Sequence, residues 1–420
     1  MREIAMLPPG SVVELAPSGM SVLSAAHLPY GDTSAALSRD QKFDRLDELL
    51  GRALTDWCQG DLDDSVISLS GGHDSPFALA GMLMLGARPK SITWGKETSR
   101  DVRVPRRLSE SLGFPWTHVP APLSSWHSWQ RTLQGVGAVG SDWSGWAEDW
   151  LGQLASHASG ALTGNAGEAL TGKNIREPDD GPNGDWIGKW LARSYQDRWV
   201  DSPLLRPGAR KRLREATREH YERLVAGFDV AFPHQRALQL DMYGRQRRLT
   251  GGQTNEMARS LAPLTFFNSR EMVEFWTNVP WSDFNQQALY LDYATNRHGR
   301  VFDVVLAERD ADASRGNAAR RTSRSVRLKL AGRFPQLRDR VATTSNDLMG
   351  NQLRSKSEIH ELLRRVSPLL EPLIDTKAMN AEMARFPQTQ SLSPFRLANL
   401  IGVAAHLDLA LPSSESHTEP

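Results

Sequence analysis

Ser65-Val-Ile-Ser-Leu-Ser-Gly-Gly-His-Asp-Ser-Pro76 is the stretch that decides the fold. Its first part, Ser65 to Leu69, is a short apolar run that reads as a buried strand, and Pro76 to Leu85 reads as a buried helix. The turn between them, Ser70-Gly-Gly-His-Asp-Ser75, therefore lies at the positive N-terminus of a helix, with backbone N–H groups directed outward. That geometry suits a phosphate. Gly71 and Gly72 let the backbone approach the phosphate closely, and Ser70 and Ser75 add hydroxyl donors. Asp74 brings a carboxylate at which a magnesium ion can bridge protein and phosphates. No Gly-Lys-Ser/Thr follows, so the turn is not a Walker loop.

Outward from this turn, strand and helix alternate. Helices are expected from Arg39 to Cys58, after Ser75 and from about Arg103, and strands at Val66–Leu69, Ser91–Trp94, Trp116–Val119 and Ala161–Thr163. Such alternation predicts an α/β fold with a parallel sheet, whose ligands bind at the carboxyl ends of the strands. Ahead of it, Val12-Val-Glu-Leu15 and Met20-Ser-Val-Leu23 flank Pro17-Ser-Gly19 and predict a hairpin. From about Trp186 strand signals fade, and helices separated by Pro and Gly are expected. The arginine-rich tract between Arg309 and Arg327 is too polar to pack and reads either as a solvated loop or as a lid over phosphates. The last residues, 412–420, read as a disordered tail.

The bulk composition narrows the function classes. Fifty basic against 49 acidic residues leave a net charge of +1, which gives no electrostatic case for nucleic acid or an acidic membrane. Cys58 is the lone cysteine, so neither an intramolecular disulfide nor a cysteine zinc cluster is expected. With no signal-like start and no apolar run near membrane-spanning length, the expected location is cytoplasmic.

A second glycine motif, Leu162-Thr-Gly-Asn-Ala-Gly-Glu-Ala-Leu-Thr-Gly172, ends the fourth strand of the alternation and carries Glu168. Together, the two motifs resemble the PP-loop ATP pyrophosphatases, and within them the asparagine synthetase-like family, whose relatives include β-lactam synthetases and lasso peptide cyclases. Ile92-Thr-Trp-Gly95, Asn268 to Pro280 and Leu7-Pro-Pro-Gly10 extend the likeness, which spans about residues 1 to 335. The resemblance implies a PP-loop sheet of the adenine nucleotide α-hydrolase (HUP) type with a C-terminal helical region and a short N-terminal β remnant. Residues 1–38 then correspond to the remnant or linker of a lost glutaminase domain, and 39–335 to the synthetase domain. Its α/β core falls at about 60–175 and its helical part at about 186–335, with a helical extension over 336–411.

The implied reaction uses ATP and Mg²⁺ to adenylate a small-molecule or peptide carboxylate, releasing pyrophosphate, after which ammonia or an amine takes the acyl group. Carried onto this chain, the family's nucleotide contacts fall on Leu69, Ser70, Gly71, Gly72, His73, Asp74, Ser75, Trp94 and Gly164, and its metal ligands on Asp74 and Glu168. The family usually places Asp where Glu168 stands. Catalytic positions fall on Asn165, where asparagine synthetases carry Glu and β-lactam synthetases Tyr, and on Lys329 in Arg327-Leu-Lys329, the counterpart of a lysine that stabilises departing pyrophosphate. Lys173 is a second candidate for that lysine. Asparagine does not titrate near neutral pH, so Asn165 is not a general base.

Glutamine-dependent members begin with a catalytic Cys, whereas residue 2 here is Arg, so ammonia, a separate glutaminase or biosynthetic partner, or an amine on the substrate is expected to supply the nitrogen. Specialised biosynthesis is therefore expected in preference to bulk asparagine synthesis. Alternatives are a non-catalytic nucleotide-binding partner subunit and a PP-loop ligase acting on tRNA. Trp126, Trp129, Trp143, Trp146 and Trp150 read either as core packing or as an aromatic wall for substrate. Asp101 reads as the N-cap of its helix.

Overall fold

Strands buried on both faces need apolar residues at consecutive positions, and Val66 and Ile67 supply them, both without solvent exposure. They belong to β3 (Ser65–Ser68), the middle strand of a five-stranded sheet in a computed structural model of the chain. The structure describes residues 12–23, 30–31, 33–58, 62–120, 152–173, 175, 186–194, 202–228, 230, 232–247, 250–314, 330–331, 333–334, 352–385 and 394–409. The other strands are β4 (Lys90–Gly95), β5 (Trp116–Pro120), β6 (Gly160–Leu162) and β7 (Ala262–Leu264), in the order β5-β4-β3-β6-β7. Every neighbouring pair is parallel. The expected hairpin is present as β1 (Val12–Ala16) and β2 (Gly19–Leu23).

Strand β7 corrects the sequence reading, which expected only helices past Trp186. Its three residues, Ala-Pro-Leu, are too short for periodicity to register, and Pro263 removes one ladder donor. An edge strand tolerates that loss, and among the described residues β7 pairs only with β6.

Helices α1 (Arg39–Trp57), α2 (Asp74–Met84) and α3 (Arg100–Leu112) follow the predicted alternation. A capping box between Ser38 and Gln41 starts α1, which buries Phe43, Leu46, Leu49, Leu50 and Leu54 on one face. Helix α2 is buried from Ser75 through Met82, as its uniformly apolar sequence requires. Helix α3 starts three residues earlier than expected, with Ser99 as its N-cap. Asp101 therefore lies inside the first turn and is not the cap.

Beyond β6 come α4 (Gly167–Leu170), α5 (Trp186–Ser194), α6 (Pro207–Ala226) and α7 (Pro233–Asp241). A π-helical segment, Met242–Gln246, continues α7 and leads to α8 (Thr250–Met257). Then follow α9 (Arg270–Thr277), α10 (Trp281–Phe284) and the long α11 (Ala288–Ser314), which packs on α2 and α3. Helices α12 (Ser357–Leu370), α13 (Thr376–Ala384) and α14 (Pro394–Leu409) build a second core with Leu204 and Leu205.

The sheet separates two apolar layers. Ile67, Leu69 and Leu162 face the main core with α1, α2 and α11, while Val66, Ile92 and Ala161 face Leu154, Met257 and Leu261. From β3 the chain steps outward through β4 to β5, and β6 then pairs with the opposite side of β3. The carboxyl ends of β3 and β6 thus form the topological switch point, where an open parallel sheet places its ligand crevice. No helix among the described residues is long and apolar enough to cross a membrane.

Candidate functional site

The turns leaving β3 and β6 meet at this switch point. A Cβ added to Gly164 would lie 2.5 Å from Asp74 Cβ and 2.8 Å from the Ser75 nitrogen. One added to Gly167 would lie 2.7 Å from the Asp74 carboxyl carbon. The second motif therefore rests directly on the first, and its glycines are what permit the contact. Between them Ala166 takes φ 70°, a left-handed conformation that is strained for a residue with a side chain.

The loop Leu69–His73 is held from several sides. Arg100 donates two hydrogen bonds to the Gly71 carbonyl, at 3.0 Å from Nε and 2.5 Å from Nη2. The Asp101 carboxylate lies near the Gly71 N–H, and its pKa is raised because burial outweighs the neighbouring arginines and that N–H. Ser75 Oγ accepts from the Ser70 N–H at 2.9 Å and lies 3.0 Å from Ser70 Oγ. The Gly72 N–H reaches Ser70 Oγ at 3.3 Å. This changes the donor set expected from sequence, because the N–H groups of Ser70 and Gly72 are engaged by the protein itself. The N–H groups of Asp74 and Ser75, opening α2, have no acceptor among the described residues.

His73 is buried, with its ring 6.4 Å from that of Phe302, and its carbonyl accepts from Tyr290 Oη at 3.1 Å. Leu69 lies in the main core, and its carbonyl accepts from Thr93 Oγ1 at 2.7 Å. Trp94, at the carboxyl end of β4, packs against the core of α12, α13 and α14. Those helices therefore border the ligand edge of the sheet.

Asp74 Oδ2 accepts the Glu168 N–H at 2.8 Å, while Asp74 Oδ1 is shut off from solvent and has no hydrogen-bond partner among the described residues. Burial, and after it the charge of Glu168, pushes the Asp74 carboxyl up to about 8, against the opposing pull of Lys173. The Glu168 side chain is ion-paired with Lys173. Burial and these same two carboxylates hold the Tyr290 hydroxyl well above its usual range, as a neutral donor.

Asn165 lies beside the pair. Its Nδ2 donates to Thr254 Oγ1 at 3.0 Å, and its backbone N–H bonds Thr163 Oγ1. Thr254 spends its own hydroxyl proton on the Thr250 carbonyl, so it can only accept from Asn165, and the Asn165 amide orientation is fixed. Thr250 Oγ1 donates to Gln246 Oε1, and Gln246 Nε2 donates to Asp241 Oδ2 at 2.9 Å. The wider π turn lets side chains five residues apart meet in this way. Asp241 is buried, and burial raises its pKa despite the Gln246 bond, with Glu168 adding to the rise.

Sequence reasoning missed Arg100, Asp241, Gln246, Thr254 and Tyr290, none of which belongs to a motif. Arg100 carried the one available signal, its place at the start of the helix after β4. Residues 309–314 of the Arg309–Arg327 tract form the last part of α11, which corrects the loop reading there, because the long helix continues past the polar onset. The rest of the tract from 315 onward, Lys329 and the tryptophans at 126, 129, 143, 146 and 150 lie outside the described residues.

The donors present fit a hard divalent cation: two carboxylates from adjacent strand ends, one with an unpartnered oxygen. Among the described residues no three His, Cys, Asp or Glu side chains form a metal site alone, so water or substrate oxygens would complete the coordination. Compared with known proteins, the chain matches no family model, and no curated protein matches it.

Proposed function

We propose that this chain is an ATP-dependent amide-bond-forming enzyme that adenylates a substrate carboxylate, releases pyrophosphate and passes the acyl group to ammonia or an amine. The supporting observation is the contact of two glycine turns over Asp74 at the switch point of a parallel sheet, with a buried carboxylate oxygen left unpartnered. Asp74 and Glu168 would hold Mg²⁺, which when bound would offset the charge gathered on the phosphates. The open N–H groups of Asp74 and Ser75 and the N-terminal dipole of α2 favour phosphate oxygens at the same point. A carboxylate oxygen attacks the α-phosphorus and pyrophosphate leaves; the amine then attacks the acyl carbon and AMP leaves.

Asn165 does not remove the proton. With Nδ2 committed to Thr254, its Oδ1 is left as an acceptor that can orient an amine N–H. The test is pyrophosphate release from ATP and Mg²⁺ across a panel of carboxylates. Substrate-dependent release is expected in the wild type and its loss in Asp74→Asn. No release with any carboxylate, together with no shift in melting temperature on adding ATP, would overturn the reading.

A second reading, a non-catalytic nucleotide-binding partner subunit, is favoured by Asn165 and by the self-engaged N–H groups of Ser70 and Gly72. ATP-dependent stabilisation without pyrophosphate release would select it.

A further inference from the structure

Lys173 stands where the two motifs converge. Its backbone N–H bonds the Glu168 carbonyl at 2.9 Å, closing the turn after α4. Gly172 before it holds φ 91°, with the Phe284 backbone carbonyl where a Cβ would project. That turn fixes the origin of the Lys173 side chain, whose ammonium pairs with Glu168 and also lowers the cost of charge on Asp74. No other ammonium or guanidinium pairs with either carboxylate among the described residues.

We propose that Lys173 is the resident cation of this carboxylate pair. Its ammonium neutralises Glu168 in the metal-free protein, and a divalent cation bound by Asp74 and Glu168 displaces it toward the phosphates of the nucleotide. The proposal rests on the metal and nucleotide reading above. Three observations carry it: the Lys173–Glu168 ion pair, the unpartnered and solvent-excluded Asp74 Oδ1, and the Asp74 bond to the Glu168 N–H that brings the two acids together. An ammonium satisfies Glu168 but leaves Asp74 Oδ1 without a partner. A divalent cation meets both needs, so the two cations compete for one site. Lys173 and Glu168 are each 38 % exposed, so the pair is screened and exchange is cheap.

The experiment uses the full chain and Mn²⁺ alone, followed by solvent-proton relaxation, with MgATP titrated separately. Lys173→Met removes the competitor and is expected to tighten Mn²⁺ binding by about two- to fivefold, less at high salt. Glu168→Gln is expected to abolish Mn²⁺ binding in both backgrounds. For MgATP the expectation reverses: Lys173→Met weakens binding, because the phosphates lose a cation. Unchanged or weaker Mn²⁺ binding in Lys173→Met, or no Mn²⁺ binding to either protein, overturns the proposal. ATP failing to bind the wild type would instead refute the nucleotide reading while leaving the Mn²⁺ comparison decisive for Lys173. Melting temperatures near the wild-type value confirm that the variants fold.

Discussion

Replacing Asp74 by Asn is expected to stabilise the ligand-free protein, and by an amount that grows with pH. Asp74 is pushed up to about 8 by burial and by Glu168, so in the folded state it is largely protonated at neutral pH. In the unfolded chain the same carboxyl titrates near ~3.9 and is ionised. The folded state therefore holds the extra proton between those values, and stability falls as pH rises through that window. Each pH unit above the unfolded value costs about 1.4 kcal/mol, which sets a ceiling of about 4 kcal/mol at pH 7. Asparagine keeps the acceptor for the Glu168 N–H and has no proton to lose. Asp74→Asn should thus gain about 2 to 4 kcal/mol at pH 7, about 1 kcal/mol at pH 5, and nothing near pH 4. Urea unfolding of both proteins at pH 5 and pH 8 reads the difference directly. A variant less stable than wild type at pH 8, or a gain identical at the two pH values, would refute the argument. On the proposed function, the same variant should lose stabilisation by MgATP, because one of the two carboxylates that would hold Mg²⁺ is gone.

The remaining expectations follow from single contacts. Gly164→Ala should destabilise by about 2 kcal/mol and, on the proposed function, abolish ATP-dependent melting shifts, since the new methyl would meet Asp74 Cβ at 2.5 Å and backbone beyond it. Ala166→Gly should raise stability by about 1 kcal/mol in urea unfolding, by relieving the left-handed strain at φ 70°. His298, at a kink in α11 and 3.3 Å from Tyr293 Oη, is held below its ordinary pKa chiefly by burial. Its stabilising contribution is therefore full above the unfolded value near ~6.5 and is lost as pH falls toward the folded value. An NMR titration of its ring with a midpoint at or above that of an exposed histidine would contradict this.

Local chemistry made much of the sheet legible. The buried run at Val66 and Ile67, the apolar helix after Asp74 and the glycines at 71, 72, 164 and 167 announce strand, helix and turn within a few residues of each other. Strand β7 escaped because three residues, the middle one a proline, carry no period. The π segment after Asp241 escaped because nothing in Met242-Tyr-Gly-Arg-Gln246 distinguishes a wide turn from an ordinary one. Asp101 was misplaced as a cap because Ser99, two residues earlier, is equally suited to the position.

By itself, then, the sequence determined the two glycine turns, their carboxylates Asp74 and Glu168, and the parallel alternation that puts strand ends on one edge. Each is a short-range property, set by residue type and spacing. Only the tertiary structure decided that the turn after β6 lies on the turn after β3, since that follows from β6 pairing with the far side of β3. Tertiary structure also decided which charges meet: the solvent-excluded oxygen of Asp74, the pairing of Lys173 with Glu168, and the reach of Asn165 to Thr254, 89 residues away. Burial and proximity are set by the whole packed chain, and so are the proton affinities they control.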